Sequence, residues 1–303
     1  MSNLTLRVRN AAGGTPTSKP WGINSEYGRL RSVLLGPPDN LRLLPTSSLS
    51  KKSIRDGLHI DEATVRAQHR EMVAAYQDAG VTVHTLAADS SLPYQVYARD
   101  SSVMTPFGAI VTQMLHPWRR GEYGPVLDFY TSMGIPIYEK VTAGSFEGGD
   151  LMFLEPGVAL CGWSDDRSQE SAARQVQGWL ELEGYEVNLV AIDPYYVHID
   201  LMVVALAEKL AAVCLECLDP RVVDWLTGKG YKLVSVPFAD TMNLGCNVVA
   251  LGDDRVLLPA DSKVLKEKCK ALGFKVYDPD VSMFITCGGG VHCMCQPLQR
   301  DRV

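Results

Sequence analysis

The stretch YYVHIDLMVVALAEKLAAVCLE, residues 195–216, does most to decide the fold. Two apolar runs lie on either side of the polar pair Glu208-Lys209, which predicts two adjacent strands joined by a turn. Helical patterns flank this hairpin, from Ser168 to Leu182 before it and from Pro220 to Leu226 after it. A doubly wound sheet alternates single strands with helices, so a hairpin between two helices favours a different α/β arrangement.

The same alternation of strands and helices runs along the rest of the chain. Ser32 to Leu35 predicts an opening strand, and apolar residues at helical spacing predict a helix from Asp61 to Ala79. A second hairpin is expected around Gly252-Asp253-Asp254. We therefore predict an α/β fold of repeated mixed units around a centre, with a loose tail at residues 1–20 and one domain at residues 21–303.

Composition excludes several classes of protein. The 303 residues are 46% hydrophobic and 21% charged, as in ordinary globular proteins. The net charge of -6, without a run of like charges, argues against a nucleic-acid binder. No apolar stretch approaches the ~18 residues that span a bilayer, and the amino-terminal residues lack the apolar core of a secretion signal. We expect a cytoplasmic protein whose eight cysteines are reduced.

The segment ITCGGGVHCMCQPL, residues 285–298, places Cys293 after three glycines. Reduced thiols weaken the case for a disulfide, and the glycines match neither phosphate-loop pattern. A zinc site that combines Cys293 and Cys295 with Cys214 and Cys217 is disfavoured, because Cys214 lies in an apolar, strand-like run. A reactive thiol at Cys293 is the reading that remains, and no metal is expected.

Polar residues interrupt three other apolar or glycine-rich stretches. In YYVHIDLMVV, His198 and Asp200 are expected to share one face of a strand. SFEGGDLMF carries Glu147, and YARDSSV carries Asp100. Each motif alone also fits a hydrogen-bonded pair or a surface charge. Together with Cys293, they suggest carboxylates that bind a cation and a thiol that attacks it, with a histidine for proton transfer.

These four stretches, in this order, resemble the guanidino-group-modifying superfamily, which includes arginine deiminases, dimethylarginine dimethylaminohydrolases and amidinotransferases. The resemblance extends over about residues 21 to 300, and EYGRLRSVLLGPPDN is similar to the opening strand of the family. It implies a five-bladed α/β propeller with a central site and neither a metal nor an organic cofactor.

The resemblance also implies a role for each matching residue. Cys293 is the expected nucleophile, His198 the general acid and base, and Glu147 the residue that orients His198. Asp100 and Asp200 are expected to bind the guanidinium nitrogens. Arg120 and Arg167 are expected to bind a substrate carboxylate.

Two features distinguish the branches of the superfamily. Asp200 occupies a position that is typically Lys in dimethylarginine enzymes, and two carboxylates suit an unsubstituted guanidinium with N–H donors. FEGGD resembles the hydrolase branch, whereas GGGVHC resembles the amidinotransferase ending and lacks the Pro-Arg of arginine deiminases.

We expect a cysteine hydrolase that acts through a covalent thiouronium, a deiminase on arginine or an arginine-like compound. An amidinotransferase, a dimethylarginine dimethylaminohydrolase and a catalytically silent guanidinium-binding protein are the alternatives. The expected partner is a small guanidino compound, and a homo-oligomer is compatible with the sequence.

Overall fold

The structure, a computed structural model, describes residues 20–303. Residues 1–19 of the predicted tail lie outside this range. Five three-stranded sheets make up the strand content of the described residues. Their strands are β15-β1-β2 (Gln296–Arg300, Leu30–Leu35, Thr82–Thr85), β3-β4-β5 (Ser102–Thr105, Gly108–Val111, Ile137–Lys140), β6-β7-β8 (Leu151–Glu155, Val158–Trp163, Glu186–Ala191), β9-β10-β11 (Val203–Ala207, Leu210–Val213, Lys232–Ser235) and β12-β13-β14 (Val249–Ala250, Arg255–Leu257, Lys275–Tyr277).

All five sheets have the same internal arrangement. The first strand runs antiparallel to the central strand, and the third strand runs parallel to it. Because parallel neighbours need a crossover, a helix connects the central and third strands. These helices are α2 (Glu62–Asp78), α3 (Tyr123–Met133), α4 (Glu170–Leu182), α5 (Pro220–Gly228) and α7 (Lys263–Ala271). The predicted α/β class of repeated hairpin-containing units is confirmed.

Four shorter α-helices also occur among the described residues: α1 (Ser48–Arg55), α6 (Phe238–Thr241), α8 (Ser282–Thr286) and α9 (Val291–Met294). The sequence patterns did not predict them, because four to eight residues carry too little periodicity. No helix among residues 20–303 has the length and apolar character to cross a membrane.

Local signals account for the elements that the sequence predicted. Asp61 caps α2 by accepting a hydrogen bond from the backbone N–H of Thr64 at 2.8 Å. The buried face of this helix carries Val65, Met72 and Tyr76, which pack in one apolar cluster. The hairpin between β9 and β10 turns at Glu208-Lys209, as predicted.

The last strand, β15, is an element that the patterns did not predict. Its sequence, QPLQR, is polar and contains a proline. The strand lies at the edge of its sheet and pairs antiparallel with β1, with Val33 opposite Pro297. Proline is tolerated at an edge because its missing N–H faces away from the ladder. The carboxyl-terminal strand thus completes the sheet that the amino-terminal strands begin.

Candidate active site

The first strand of every sheet is preceded by a short polar segment, and these segments converge. Asp100 precedes β3, Glu147 precedes β6, His198 precedes β9, Asn247 precedes β12 and Cys293 precedes β15. All five residues are buried. Since the five sheets share one internal arrangement, the corresponding position of each repeat supplies one polar side chain to a common centre.

A cavity opens at this centre. Its wall includes Asp100, His198 and Cys293, three of the predicted site residues, together with the guanidinium groups of Arg119 and Arg167. Tyr94, Tyr97 and Leu201 supply apolar surface. The cavity therefore brings together a thiol, an imidazole, a carboxylate and two fixed cations.

His198 is held between two carboxylates. Its Nε2 lies 2.9 Å from Oε2 of Glu147, and its Nδ1 lies 3.6 Å from Oδ1 of Asp100. Burial alone would lower the pKa of His198, but Asp100, Asp150 and Glu147 together raise this pKa to about 10. The imidazole is therefore protonated at neutral pH, and its hydrogen bond to Glu147 restricts its orientation.

The backbone around His198 leaves little freedom. A Cβ on Gly149 would lie 2.6 Å from Nδ1 of His198, so only glycine allows this approach. Val197 has φ 61° and ψ -66°, and the N–H of His198 donates to the carbonyl of Tyr196 at 2.6 Å. This is a γ-turn of the strained kind, here with a β-branched residue at its centre. Strain of this type at a cavity wall is typical of a functional position.

Asp200 does not share a strand face with His198. The residues Ile199–Leu201 form a 3-10 turn, and β9 begins only at Val203, so the expected two-residue periodicity does not apply. Asp200 instead accepts a hydrogen bond from Nδ1 of His292 at 2.7 Å. Its other carboxylate oxygen, Oδ1, has no hydrogen-bond partner among the described residues.

Cys293 lies in α9, directly after the glycine-rich segment. The side-chain N–H of Asn247 donates to Sγ of Cys293 at 3.2 Å, and Oδ1 of Asn247 accepts from the N–H of His292 at 2.8 Å. A Cβ on Gly290 would lie 2.5 Å from Oδ1 of Asn247, which explains why glycine is required there. Asn247 thus fixes both the loop and the sulfur.

The thiol of Cys293 is protonated at neutral pH in this arrangement. Burial raises the pKa of Cys293 well above its ordinary value, and the charges of Asp200 and Asp100 raise it further. The hydrogen bond from Asn247 acts in the opposite direction. A positive charge placed against the two aspartates would therefore favour the thiolate.

The two predicted arginines have different surroundings. Arg167 lies in the cavity wall, where it donates to the carbonyl of Thr46 at 2.6 Å and lies 3.5 Å from Oε2 of Glu147. Arg120 is exposed, donates to the carbonyl of Leu115 and lines a different cavity. Its neighbour Arg119 is the arginine that enters the site.

Arg119 connects the carboxylates of the site. Its guanidinium donates to Asp100 at 2.8 Å, to Glu147 at 3.2 Å and to Glu122 at 2.8 Å. Burial alone would raise the pKa of Glu147, but Arg167, Arg119 and His198 lower this pKa below its ordinary range. Glu147 is therefore a carboxylate that remains ionised although it is fully buried.

Metal-binding geometry exists among these residues, but a protein cation already lies there. One ligand atom each of Asp100, Glu147 and His198 lie within 4.8 Å of one another. The guanidinium of Arg119 donates to both carboxylates, so an added dication would have to compete with it. Cys214 and Cys217 pack in a different apolar cluster from Cys293 and Cys295.

Three residues of the site were not predicted from the sequence: Arg119, Asn247 and His292. Asn247 could have been found, because it precedes the first strand of its repeat as Asp100, Glu147 and His198 do in theirs. Arg119 carried no signal that separated it from Arg120. His292 carried no signal of its own in the sequence, since its partner Asp200 is 92 residues away.

Comparison with known proteins assigns the chain to a family. The protein-family model described as N,N dimethylarginine dimethylhydrolase, eukaryotic, matches residues 46–300. The chain belongs to this family. Its membership confirms the predicted guanidino-group-modifying superfamily.

Individual relatives support the same placement. The N(G),N(G)-dimethylarginine dimethylaminohydrolase of Pseudomonas aeruginosa is 26% identical over 251 residues, which cover 80% of this chain and 94% of the relative. A mutant of that organism's dimethylarginine dimethylaminohydrolase, solved in complex with citrulline, has a TM-score of 0.74 and 23% identity over 88% of this chain and 99% of that one.

A second solved structure shows the same fold. The amino-terminal domain of ArgZ, a cyanobacterial arginine dihydrolase solved as a substrate-bound mutant, has a TM-score of 0.78 and 20% identity. The match covers 89% of this chain and 98% of that one. The relatives are hydrolases that act on C–N bonds of guanidino compounds, and the chain belongs with them at this level.

Proposed function

We propose that the protein is a cysteine hydrolase of a small guanidino compound, with arginine or an arginine-like molecule as substrate and ammonia as product. Cys293 is the nucleophile, and His198, oriented by Glu147, transfers protons. Asp100 and Asp200 bind the guanidinium. No metal or organic cofactor takes part in this scheme. The family match and the relatives named for dimethylarginine and arginine support this class of substrate.

One observation carries the proposal. Sγ of Cys293 lies in a cavity whose wall also holds the imidazolium of His198 and the carboxylate of Asp100. Two further carboxylates lie behind this wall: Glu147 contacts His198, and Asp200 contacts His292, the residue before Cys293. Oε1 of Glu147 and Oδ1 of Asp200 are buried and lack hydrogen-bond partners among the described residues. A buried acceptor without a donor is costly, and a planar guanidinium offers several donors in fixed directions. A guanidinium bound here would supply donors of the kind that these oxygens lack.

The protonation states suggest how the reaction begins. Cys293 is a thiol in the free protein because burial and the charges of Asp200 and Asp100 raise its pKa. Binding of a guanidinium between these aspartates neutralises their field and adds a positive charge beside the sulfur. The thiol then releases its proton to solvent, because His198 already carries one, and the substrate itself thereby prepares the nucleophile.

The chemical steps follow from these states. The thiolate of Cys293 attacks the guanidinium carbon, and His198 gives its proton to the departing nitrogen, which leaves as ammonia. A thiouronium then links the carbon to Cys293. The neutral His198 takes a proton from water, the resulting hydroxide adds to the carbon, and the C–S bond breaks. A urea-type product leaves, and the thiol and imidazolium return.

Asp100 and Asp200 argue for an unsubstituted terminal group. Each carboxylate accepts hydrogen bonds from N–H donors, and methylation would remove those donors. An arginine-type guanidinium is therefore favoured over a dimethylated one, although the matching family model is named for dimethylarginine.

An amidinotransferase would use the same covalent step but would transfer the group to an amine. A silent guanidinium-binding protein would need neither the thiol nor its hydrogen bond from Asn247.

We further propose that the five sheets are the blades of a five-bladed propeller and that residues 21–303 form one catalytic domain. The convergence of one polar segment from every sheet supports this arrangement. The pairing of β15 with β1 joins the two ends of the described chain in one sheet.

Replacement of the sulfur tests the proposal. We expect Cys293→Ser to abolish hydrolysis and to leave binding of a guanidino substrate measurable by calorimetry. Cys295→Ser is the matched control, because this buried thiol lies two residues away and outside the cavity wall. Full turnover in Cys293→Ser would refute the assignment.

Product analysis separates the alternatives. A panel of guanidino compounds should yield ammonia and a urea-type product without any added amine. A requirement for an acceptor amine would indicate an amidinotransferase, and release of dimethylamine from dimethylarginine as the best reaction would indicate the dimethylarginine branch. Binding without any product would indicate the silent protein.

A further inference from the structure

A second, smaller opening, called the second cavity below, lies beside the catalytic one. Four residues line both cavities: Ser47, Val197, Leu201 and Gly288. The two spaces are therefore neighbours on either side of a common wall. A ligand whose reactive group lies near Cys293 can extend into the second cavity past these residues.

The lining of the second cavity is apolar in character. Leu49, Leu244 and Met242 contribute aliphatic surface. No residue of its wall, within the described part of the chain, carries a charge. By contrast, the catalytic cavity is lined by Asp100 and two arginines. The lining is therefore charged in the catalytic cavity and uncharged in its neighbour.

The aliphatic hydroxyl groups in this wall are already engaged by the protein. Oγ of Ser47 accepts from the N–H of Ser50 at 3.1 Å as the cap of α1. Oγ1 of Thr241 lies 3.6 Å from Sγ of Cys246. Because these groups are occupied, they offer little to a polar ligand, and a charged group buried here would lack a partner.

Exposed aromatic side chains stand at the outer side of the second cavity. Tyr195 is 50% exposed and lies in the cavity wall, and Phe238 is 39% exposed. The ring of Tyr196 contacts both, edge to face, at centroid distances of 5.4 Å and 6.5 Å. Grouped, exposed aromatic surface of this kind typically marks a binding site.

We propose that this cavity is a subsite for an apolar tail on the guanidino substrate, so that the preferred substrate carries its guanidinium on an alkyl or arylalkyl chain. This inference rests on the proposed hydrolase function and shifts its preferred substrate from arginine to guanidines whose tail carries no charge. A tail that ends in a carboxylate or an ammonium would lose its hydration in this subsite without gaining a counter-ion. Val197, which lies in the common wall, would touch the tail and also precedes His198 in the chain.

A series of linear n-alkylguanidines, from methylguanidine to hexylguanidine, tests the subsite. Each added methylene that enters the cavity should raise kcat/KM about fourfold, the transfer value of one buried CH₂. Hexylguanidine should also exceed arginine in kcat/KM. A flat or falling series, measured while arginine is turned over, would overturn the subsite and leave the hydrolase assignment intact.

A charge placed in the subsite provides the matched variant. Met242→Glu should reduce the advantage of hexylguanidine over methylguanidine, because the carboxylate hydrates the cavity. Met133→Glu, an exposed residue on α3 outside both cavities, should keep that advantage. An equal advantage in both variants would contradict the subsite. Failure of the wild-type protein to hydrolyse any guanidine would instead refute the proposed function.

Discussion

Asn247 offers a sharp test of the site, because its side chain touches the sulfur directly. Its Nδ2 donates to Sγ of Cys293 at 3.2 Å, and both residues are buried. A hydrogen bond to a charged group contributes about 1.5–3 kcal/mol. Its loss in Asn247→Ala should therefore reduce the thiolate population about 10–150-fold.

The rate of alkylation should fall by less than the thiolate population. A more basic thiolate is a better nucleophile, with a Brønsted coefficient of about 0.5, so roughly half of the logarithmic loss is recovered. Asn247→Ala should thus react about 3–12-fold more slowly than wild type. The reagent is 2-chloroacetamidine, an amidinium electrophile, and the adduct on the peptide that contains Cys293 is followed by mass spectrometry.

Asn247→Asp keeps the shape of the side chain and adds a charge. At 3.2 Å from the sulfur, two negative charges repel by about 5 kcal/mol at an effective dielectric constant of 20. This corresponds to about 5000-fold in thiolate population and, after the same correction, about 70-fold in rate. The predicted order is therefore wild type, then Ala, then Asp.

The control for these variants is Asn243→Asp, an exposed residue whose Nδ2 bonds only the carbonyl of Ala239. It should react at the wild-type rate. Wild-type reactivity in Asn247→Ala, or faster reaction in Asn247→Asp than in Asn247→Ala, would show that Asn247 does not stabilise the thiolate.

Three further predictions concern His198. Its folded-state pKa of about 10 exceeds an unfolded value of about 6.5, so its stabilisation is complete below pH 6.5 and is lost as the pH rises through 10. In urea unfolding between pH 7 and 9.5, the free energy of unfolding should fall by up to about 1.4 kcal/mol per pH unit. His198→Asn should reduce this dependence on pH. A free energy of unfolding that rises with pH in this range would contradict the raised pKa of His198. In Glu147→Gln, the lost carboxylate lowers the pKa of His198, so the alkaline limb of kcat should move to lower pH, and an unmoved limb would show that Glu147 has no electrostatic influence on the imidazole. Gly149→Ala should reduce kcat about 100-fold or more, because its Cβ would displace the imidazole ring of His198. The control Gly178→Ala lies in open space on α4, so it should leave activity unchanged and raise the free energy of unfolding by about 0.5–1 kcal/mol. Equal activity of the two variants would be evidence against the close approach of Gly149 to His198.

The sequence predicted the repeating units well because their signals are local. The hairpin at Glu208-Lys209 needs only two apolar runs and a polar turn, and α2 needs only its cap and its periodic face. The strand β15 could not be predicted in this way. Its polar sequence becomes a strand only through pairing with β1, more than 260 residues earlier in the chain.

Residues of the candidate site could be picked out where their neighbours in the sequence are unusual. Contacts between residues far apart in the sequence could not be predicted. Glu147 and Cys293 adjoin glycines, and His198 interrupts an apolar stretch, so each attracted attention. The choice between Arg119 and Arg120 depends on which side of one loop faces the centre. The strand interpretation of His198 and Asp200 was wrong, because the γ-turn at Val197 and the 3-10 turn that follows delay β9.

The most direct test of the central claim is to map the site of labelling by 2-chloroacetamidine and to compare it with the loss of activity. We predict one adduct per chain, on Cys293, with hydrolysis of guanidino compounds lost in proportion to the labelled fraction. A guanidino substrate should protect the thiol. Labelling of Cys295 in place of Cys293, or full activity in chains that carry the adduct on Cys293, would contradict the account.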